Sequence, residues 1–264
     1  MSISLDIGGT WTRVSTGARF RTLGDYDRQL ECLAAALPRV TEPVGVSFGG
    51  RVTAAGEVRV ALNLRDYEGR HLGADLSARL GVPVRVAHDA TCGLLGEATG
   101  GALEQFQRCG YLTLSTGVGA ALRLGGVWLT TEAGHQLVAG NDRRCDCGQI
   151  GCLQTLTGGD ALRRRLGRPL ESVADVDEVE GQRFWASYAE SLALGIANFA
   201  LAAGLDAVAV GGAIALGRPA LWPLLRAALA RILTYQRVRV LPAASTPLTG
   251  AARLWDLPDG AVLH

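Results

Sequence analysis

Ile3-Ser-Leu-Asp-Ile-Gly-Gly-Thr-Trp-Thr-Arg-Val-Ser15 opens the chain as a short apolar strand, a glycine turn carrying a threonine, and a second extended segment around Arg13 to Ser15. The same layout returns a hundred residues later. Tyr111 to Leu114 reads as a strand, Ser115-Thr116-Gly117-Val118-Gly119 as the turn, and Ala120 to Leu124 as the returning strand. A recurrence of strand, glycine turn and strand marks a weak internal repeat and predicts two similar halves. Either turn alone reads most simply as a hairpin, because glycine favours turns in any protein. At the head of two related halves the pair reads as phosphate-binding loops. A phosphate needs several donors at close range, and backbone N–H groups supply them where no side chain intervenes. Two such loops fit a nucleotide's phosphates, with Asp6 then placed to hold Mg²⁺.

Working outward, strands alternate with helices. Asp25 is set to cap a helix running to about Leu37, with Leu30, Leu33, Ala34 and Leu37 at helical spacing. Val44 to Phe48 is a buried-type strand closed by Gly49-Gly50, and Leu72, Leu76 and Leu80 line a short helix that stops at Gly81. Val82 to Ala87 is a further strand that delivers His88-Asp89 to its C-terminal end. Phe184, Tyr188, Leu192, Ile196 and Phe199 form one stripe of a long helix over 184–203, and Ala207 to Val210 is a strand ending in Gly211-Gly212. This alternation predicts the α/β class. The length of 264 residues predicts two domains, divided near Arg108-Cys109 as residues 1–108 and 109–249.

Bulk properties exclude several classes. The chain is 48% hydrophobic and 19% charged, enough apolar material to build cores. A net charge of +1 gives no pull toward nucleic acid or an anionic membrane. The start lacks the basic and apolar regions of a signal peptide, and Asn198 and Asp206 interrupt the longest apolar run, which predicts a cytoplasmic protein. Three of the six cysteines fall within Cys145 to Cys152, a clustering that points to metal before disulfide. His135 with Cys145-Asp-Cys147-Gly-Gln-Ile-Gly-Cys152 makes a closed Cys₃His set of the structural-zinc type, with Gly148 and Gly151 letting the loop curl round the ion. Cys32, Cys92 and Cys109 read as small core residues.

Asp89 has two readings. At the tip of a strand its carboxylate can take a proton from an attacking hydroxyl. On position alone, capping the following helix is the commoner use of an aspartate there. Glu132 lies three residues before His135, so a metal that fixes the histidine fixes this carboxylate too. On bulk statistics it is otherwise a surface residue.

These residues resemble the ROK family of bacterial sugar kinases and repressors over nearly the whole chain. Asp6-Ile-Gly-Gly-Thr10 looks like the family's first phosphate loop, Val86-Ala-His-Asp-Ala90 its catalytic strand–helix junction, and Leu114-Ser-Thr-Gly-Val-Gly119 its second phosphate loop. Glu132-Ala-Gly-His135 with the cysteine cluster resembles its sugar-and-zinc signature, Val210-Gly-Gly212 its adenosine-side loop, and Leu248-Thr-Gly-Ala-Ala252 its C-terminal motif. The resemblance implies an actin-like, ribonuclease H-like two-domain fold with ATP and Mg²⁺ in an interdomain cleft, and a tail, residues 250–264, that returns to the first domain. It implies Asp89 as general base and Asp6, Gly8, Gly9, Thr10, Thr116, Gly117, Gly211 and Gly212 around the nucleotide. His135, Cys145, Cys147 and Cys152 are implied as zinc ligands. Gly50, Arg51, Asn63, His88, Glu132, His135 and Gln154 are implied around a hexose or N-acetylhexosamine phosphorylated at its 6-hydroxyl, in a homodimer or homotetramer. Gly45-Val-Ser-Phe-Gly-Gly-Arg51 resembles the N-acetylmannosamine kinase branch. The loop at Asp6 leaves no room for the helix-turn-helix that precedes it in the repressors, which favours the kinase branch. Two positions depart from the family pattern: His88 stands where it has Asn, and Gln154 where it has Glu. Both bear on sugar preference, and a sugar-binding regulator without turnover is the alternative they raise.

Overall fold

A computed structural model describes residues 3–37, 39–168 and 181–263, and the side chains among them up to residue 262. The chain opens with β1 (Ser4–Ile7) and β2 (Trp11–Val14), joined by the Gly8–Thr10 turn, in which the Gly8 N–H donates to the Trp11 carbonyl at 3.1 Å. Strands β3 (Arg19–Arg21), β4 (Val44–Phe48) and β7 (Val84–His88) complete a sheet of order β3-β2-β1-β4-β7, with β5 (Arg51–Val52) and β6 (Val58–Val60) as a separate hairpin. β1, β4 and β7 run parallel, with Ile7 opposite Phe48 and Phe48 opposite His88. Their C-terminal ends therefore reach one edge of the sheet together.

The two faces of this sheet have different work. Leu5, Ile7, Val44, Val46 and Phe48 are fully buried in a core with α1 (Tyr26–Ala36) and α2 (Leu72–Leu80). Asp25 caps α1 by accepting from the Arg28 amide at 3.0 Å, and α2 ends where Gly81 turns left-handed at φ +71°. α3 (Asp89–Ala98) packs closely with the segment that later becomes α9 (Pro247–Ala251). A methyl group on Gly250 would lie 1.6 Å from the Cys92 carbonyl oxygen, and one on Gly45 would lie 1.8 Å from that of Ala251.

The second glycine turn joins β8 (Arg108–Leu114) to β9 (Val118–Leu124) in an antiparallel hairpin, and β10 (Val127–Thr131) follows. α4 (Gln154–Thr157), α5 (Gly159–Leu166) and α6 (Gln182–Ala203) precede β11 (Ala207–Gly211). α7 (Gly212–Gly217), α8 (Leu221–Ile232) and β12 (Arg239–Pro242) come next, and β13 (Val262–Leu263) pairs in parallel with β10. β12, β11 and β8 are parallel neighbours in that order, with β9 antiparallel on the far side of β8. In each half, then, the first strand of a glycine-turned hairpin also pairs in parallel with a later strand. That shared arrangement is the structural form of the repeat. Contacts divide the chain into Met1–Gly101, Gly126–Thr130 and Ser245–His264 as one unit, and Ala102–Gly125 with Thr131–Ala244 as the other. Among the described residues no helix is long and apolar enough to cross a membrane.

Two local expectations are corrected. Cys32 is exposed, because it lies two residues past Leu30 on α1 and so on the side away from the core stripe. On α6 the buried aromatic at the head of the stripe is Trp185, with Phe184 half-buried beside it at 5.3 Å between ring centres.

Candidate active site and metal centre

In the first unit, sheet register sets the site. Gly8, Gly49 and Asp89 each lie one residue beyond the matched trio Ile7, Phe48 and His88. Gly9 fits against Asn63, whose Cβ would be 2.8 Å from a methyl group placed there. Gly50 is required by packing, since a side chain would strike the Val60 carbonyl oxygen at 2.5 Å and the Phe48 ring at 2.8 Å. Arg51 stands exposed on β5. Asp6 is buried, held by the Ser47 hydroxyl at 2.8 Å and by Arg13 at 3.0 Å. Burial pushes its carboxyl above the usual range, and the nearby Asp89 adds to that, against the lowering effects of Ser47 and Arg13. A buried carboxylate with that bias fits a cation: Mg²⁺ there would relieve the charge that burial opposes.

Asp89 is the first residue of α3, and the capping is done elsewhere. The His88 side chain accepts the Ala90 amide at Nδ1, 3.2 Å away. The Asp89 carboxylate, a quarter exposed, is thus not the acceptor at the helix start, and its Oδ1 lies 3.2 Å from His88 Nδ1. An imidazole that accepts an amide hydrogen at Nδ1 carries its own proton on Nε2. Protonating Nδ1 would exchange the cap for an ion pair with Asp89.

In the second unit, Gly211 and Gly212 lie at the end of β11, beside the end of β8 from which Ser115 to Gly117 emerge. Gly212 is left-handed at φ +89°, and a methyl group on it would fall 2.3 Å from the Leu114 carbonyl oxygen. Both glycine segments therefore stand outside the carboxyl ends of adjacent parallel strands, the position at which α/β sheets bind ligands. The loop's Ser115 N–H bonds the Gly117 carbonyl at 3.0 Å, and the Ser115 and Thr116 carbonyls accept from the Gly159 N–H at 2.7 and 3.1 Å.

The ligand atoms of His135, Cys145, Cys147 and Cys152 all lie within 4.8 Å of one another. Cys147 and Cys152 Sγ are 3.7 Å apart, and Cys145 Sγ is 3.7 Å from His135 Nδ1. Metal–sulfur bonds of about 2.3 Å at tetrahedral angles give edges of about that length, so the four groups fit zinc. Gly148 and Gly151 are left-handed at φ +97° and +94°, which lets the loop fold back. Without metal, burial raises the Cys152 thiol to about 12, helped by its neighbours. Cys147 is also raised by burial, but bonds from the Gln149 backbone, Cys145 and Cys152 outweigh this and leave it lowered. His135 turns Nδ1 toward the cysteines, and its Nε2 lies 3.9 Å from Glu132 Oε2.

The ROK family model matches residues 28–256. The chain belongs to the ROK family. Among its relatives, the N-acetyl-D-glucosamine kinase of Shigella sonnei (strain Ss046) is 30% identical over 249 residues, 84% of this chain and 80% of the relative. The solved ROK family glucokinase from Streptomyces griseus, in complex with glucose and AMPPNP, superposes with a TM-score of 0.82 at 24% identity, over 96% of this chain and 98% of that one. The ROK hexokinase from Thermus thermophilus gives 0.77 at 27% identity, over 95% and 96% of the two chains. The fold is the actin-like ATPase fold of these ROK proteins.

Some partners in this ROK site were not legible in the sequence. Ser47 and Arg13 become ligands of the Asp6 carboxylate only through sheet register, Asp6 standing opposite Ser47 on β4 and Arg13 on β2. Gln154 contacts Cys145 and Val118, at 3.1 and 3.3 Å, and no local pattern joins these three.

Proposed function

We propose that this ROK protein transfers the γ-phosphoryl group of ATP to the 6-hydroxyl of a hexose or N-acetylhexosamine, with Asp89 as general base. It is a carbohydrate kinase, a phosphotransferase with an alcohol acceptor. Asp89 carries the reading: a carboxylate one residue past a strand tip, in sheet register with Gly49 and, one strand further, with Gly8, whose helix-capping duty has passed to His88. Asp89 accepts the proton of the sugar hydroxyl as its oxygen bonds the γ-phosphorus. The bond from that phosphorus to the β–γ bridging oxygen breaks, and ADP leaves. Backbone donors of Gly8, Gly9, Thr10, Thr116 and Gly117 hold the phosphates, and Gly211-Gly212 supports the adenosine side. Asp6 would hold Mg²⁺, which would supply positive charge against the charge developing on the phosphates. Asn63, His88, Glu132 and His135 Nε2 meet sugar hydroxyls, while Gly50 and Arg51 lie toward an N-acetyl group. His135, Cys145, Cys147 and Cys152 would hold a structural zinc, and the orientation of His135, and with it Glu132, would be fixed there.

The test is ATP consumption by the purified protein across glucose, N-acetylglucosamine, N-acetylmannosamine, mannose, fructose and allose. Asp89→Asn should remove sugar-dependent turnover while leaving the melting temperature within a few degrees. Turnover that survives this change would show that another group is the base. The proximity of His88 Nδ1 to Asp89 favours one rival, a sugar-binding regulator. It would show as thermal stabilisation by sugar without turnover.

A further inference from the structure

The geometry points to Gln154 as a positioning residue that couples the zinc cluster to the second phosphate loop. Its amide is used at both ends. Nε2 donates to Cys145 Sγ at 3.1 Å, and Oε1 accepts the Val118 N–H at 3.3 Å. Val118 follows Gly117, and a methyl group on Gly117 would lie 3.0 Å from Gln154 Oε1. The backbone of the same segment holds the loop from its other side. The Gly158 N–H donates to the Gln154 carbonyl at 2.8 Å, and the Gly159 N–H donates to the Ser115 and Thr116 carbonyls. A loop whose carbonyls and Val118 amide are tied in this way keeps one shape, and one end of the tie is a metal-ligand sulfur.

An amide can serve both ends at once, which the glutamate of the family pattern cannot. A thiolate bound to zinc still carries lone pairs and accepts an N–H, which is how outer-shell groups fix a ligand's direction. A carboxylate at position 154 could accept from Val118 but could not donate to sulfur, and it would set a negative charge against a thiolate. Leucine would keep the volume and lose both bonds. Zinc binding places Cys145 Sγ, Gln154 follows it, and the Val118 amide follows Gln154. Metal occupancy and nucleotide binding then share a coupling free energy, and linkage makes the effect reciprocal.

The inference rests on the kinase reading for its nucleotide arm only. The experiment compares wild type with Gln154→Glu and Gln154→Leu, each with zinc loaded and with zinc removed by a chelator. One readout is the rate of zinc transfer to a chromophoric chelator. The other is the Kd of Mg-AMPPNP by calorimetry, together with the KM values for ATP and sugar. Loss of an outer-shell partner typically costs about 10–100-fold in metal affinity, so both variants should release zinc about that much faster. In wild type, zinc should tighten AMPPNP by about 5–150-fold, the usual span of such couplings, and AMPPNP should slow zinc release in turn. In Gln154→Leu that coupling should fall to about one. KM for ATP should rise in the same variant. Gln154→Glu holds its shape and charge-tests the sulfur contact if the leucine variant folds poorly. Zinc release within twofold of wild type in both variants, or a coupling retained in Gln154→Leu, overturns the inference. Coupling intact without sugar-dependent turnover overturns the kinase reading instead.

Discussion

Gly134 offers the sharpest test of how the turn at His135 and the loop at Val118 are fitted together. It sits in the single turn Ala133–His135, between the carboxylate of Glu132 and the cysteine-facing ring of His135. A methyl group there would lie 2.0 Å from the Val118 carbonyl oxygen and 2.9 Å from the Val118 Cβ. Carbon–oxygen contacts settle at about 3.3 Å or more, so the gap must open by about 1.3 Å. The obstacle is backbone, which no rotamer change relieves. Either the turn carrying His135 and Glu132 moves, or the loop at Val118 does. Overpacking of this kind costs about 1–3 kcal/mol, and a melting temperature falls about 2–4 °C per kcal/mol in a chain of this size. A misplacement near 1 Å in a phosphoryl-transfer site costs about 100-fold in rate. Gly134→Ala should therefore melt about 2–12 °C lower and lose about two orders of magnitude in kcat/KM. Gly126→Ala, whose added methyl group meets nothing within 4 Å, is the control. The assays are differential scanning fluorimetry, steady-state kinetics and zinc content by mass spectrometry. A Gly134→Ala enzyme within about threefold of wild type in kcat/KM would refute the claim that these two segments hold each other in place.

Other predictions follow from the first unit. The Asp6 carboxyl is raised above its unfolded value of 3.8, so the folded chain holds that proton more tightly than the unfolded chain. The sign is then fixed: stability is lost as pH rises through the folded value. In magnesium-free buffer Asp6→Asn should melt above wild type near neutral pH and level with it near pH 4, while losing turnover. A variant that melts below wild type at pH 7 and not at pH 4 would contradict the burial argument. His88→Ala should remove the α3 cap and cost about 1 kcal/mol in denaturant melts, and His88→Asn should restore it. Equal stability of both variants would show that the Nδ1 contact carries nothing. Arg51→Ala should lower kcat/KM for N-acetylhexosamines by about 10–100-fold, the scale of a charged hydrogen bond, and spare glucose. Equal losses for both sugars would remove Arg51 from recognition of the N-acetyl group.

Much of the architecture was readable residue by residue because its signals are local. The strand Val44–Phe48, the helix Leu72–Leu80 with its Gly81 stop, and the Asp25 cap stand where apolar spacing and end residues put them. The grouping of His135 with Cys145, Cys147 and Cys152 was equally legible, since three of the four residues lie within eight positions and carry their glycines with them. Cys32 and Phe184 went astray for one reason. A single residue along a helix turns a side chain by about 100°, so composition alone misjudges which face it takes.

The sequence by itself determined the element types, the repeated glycine hairpins, the Cys/His cluster and the carboxylate that follows β7. Chain folding alone decided what those groups touch. Ser47 and Arg13 meet Asp6 through strand register, His88 takes the cap that position would have assigned to Asp89, and Gln154 spans from Cys145 to Val118. Hydrogen bonds reach only about 3 Å, and residues tens of positions apart come within that reach only once sheets and loops have packed.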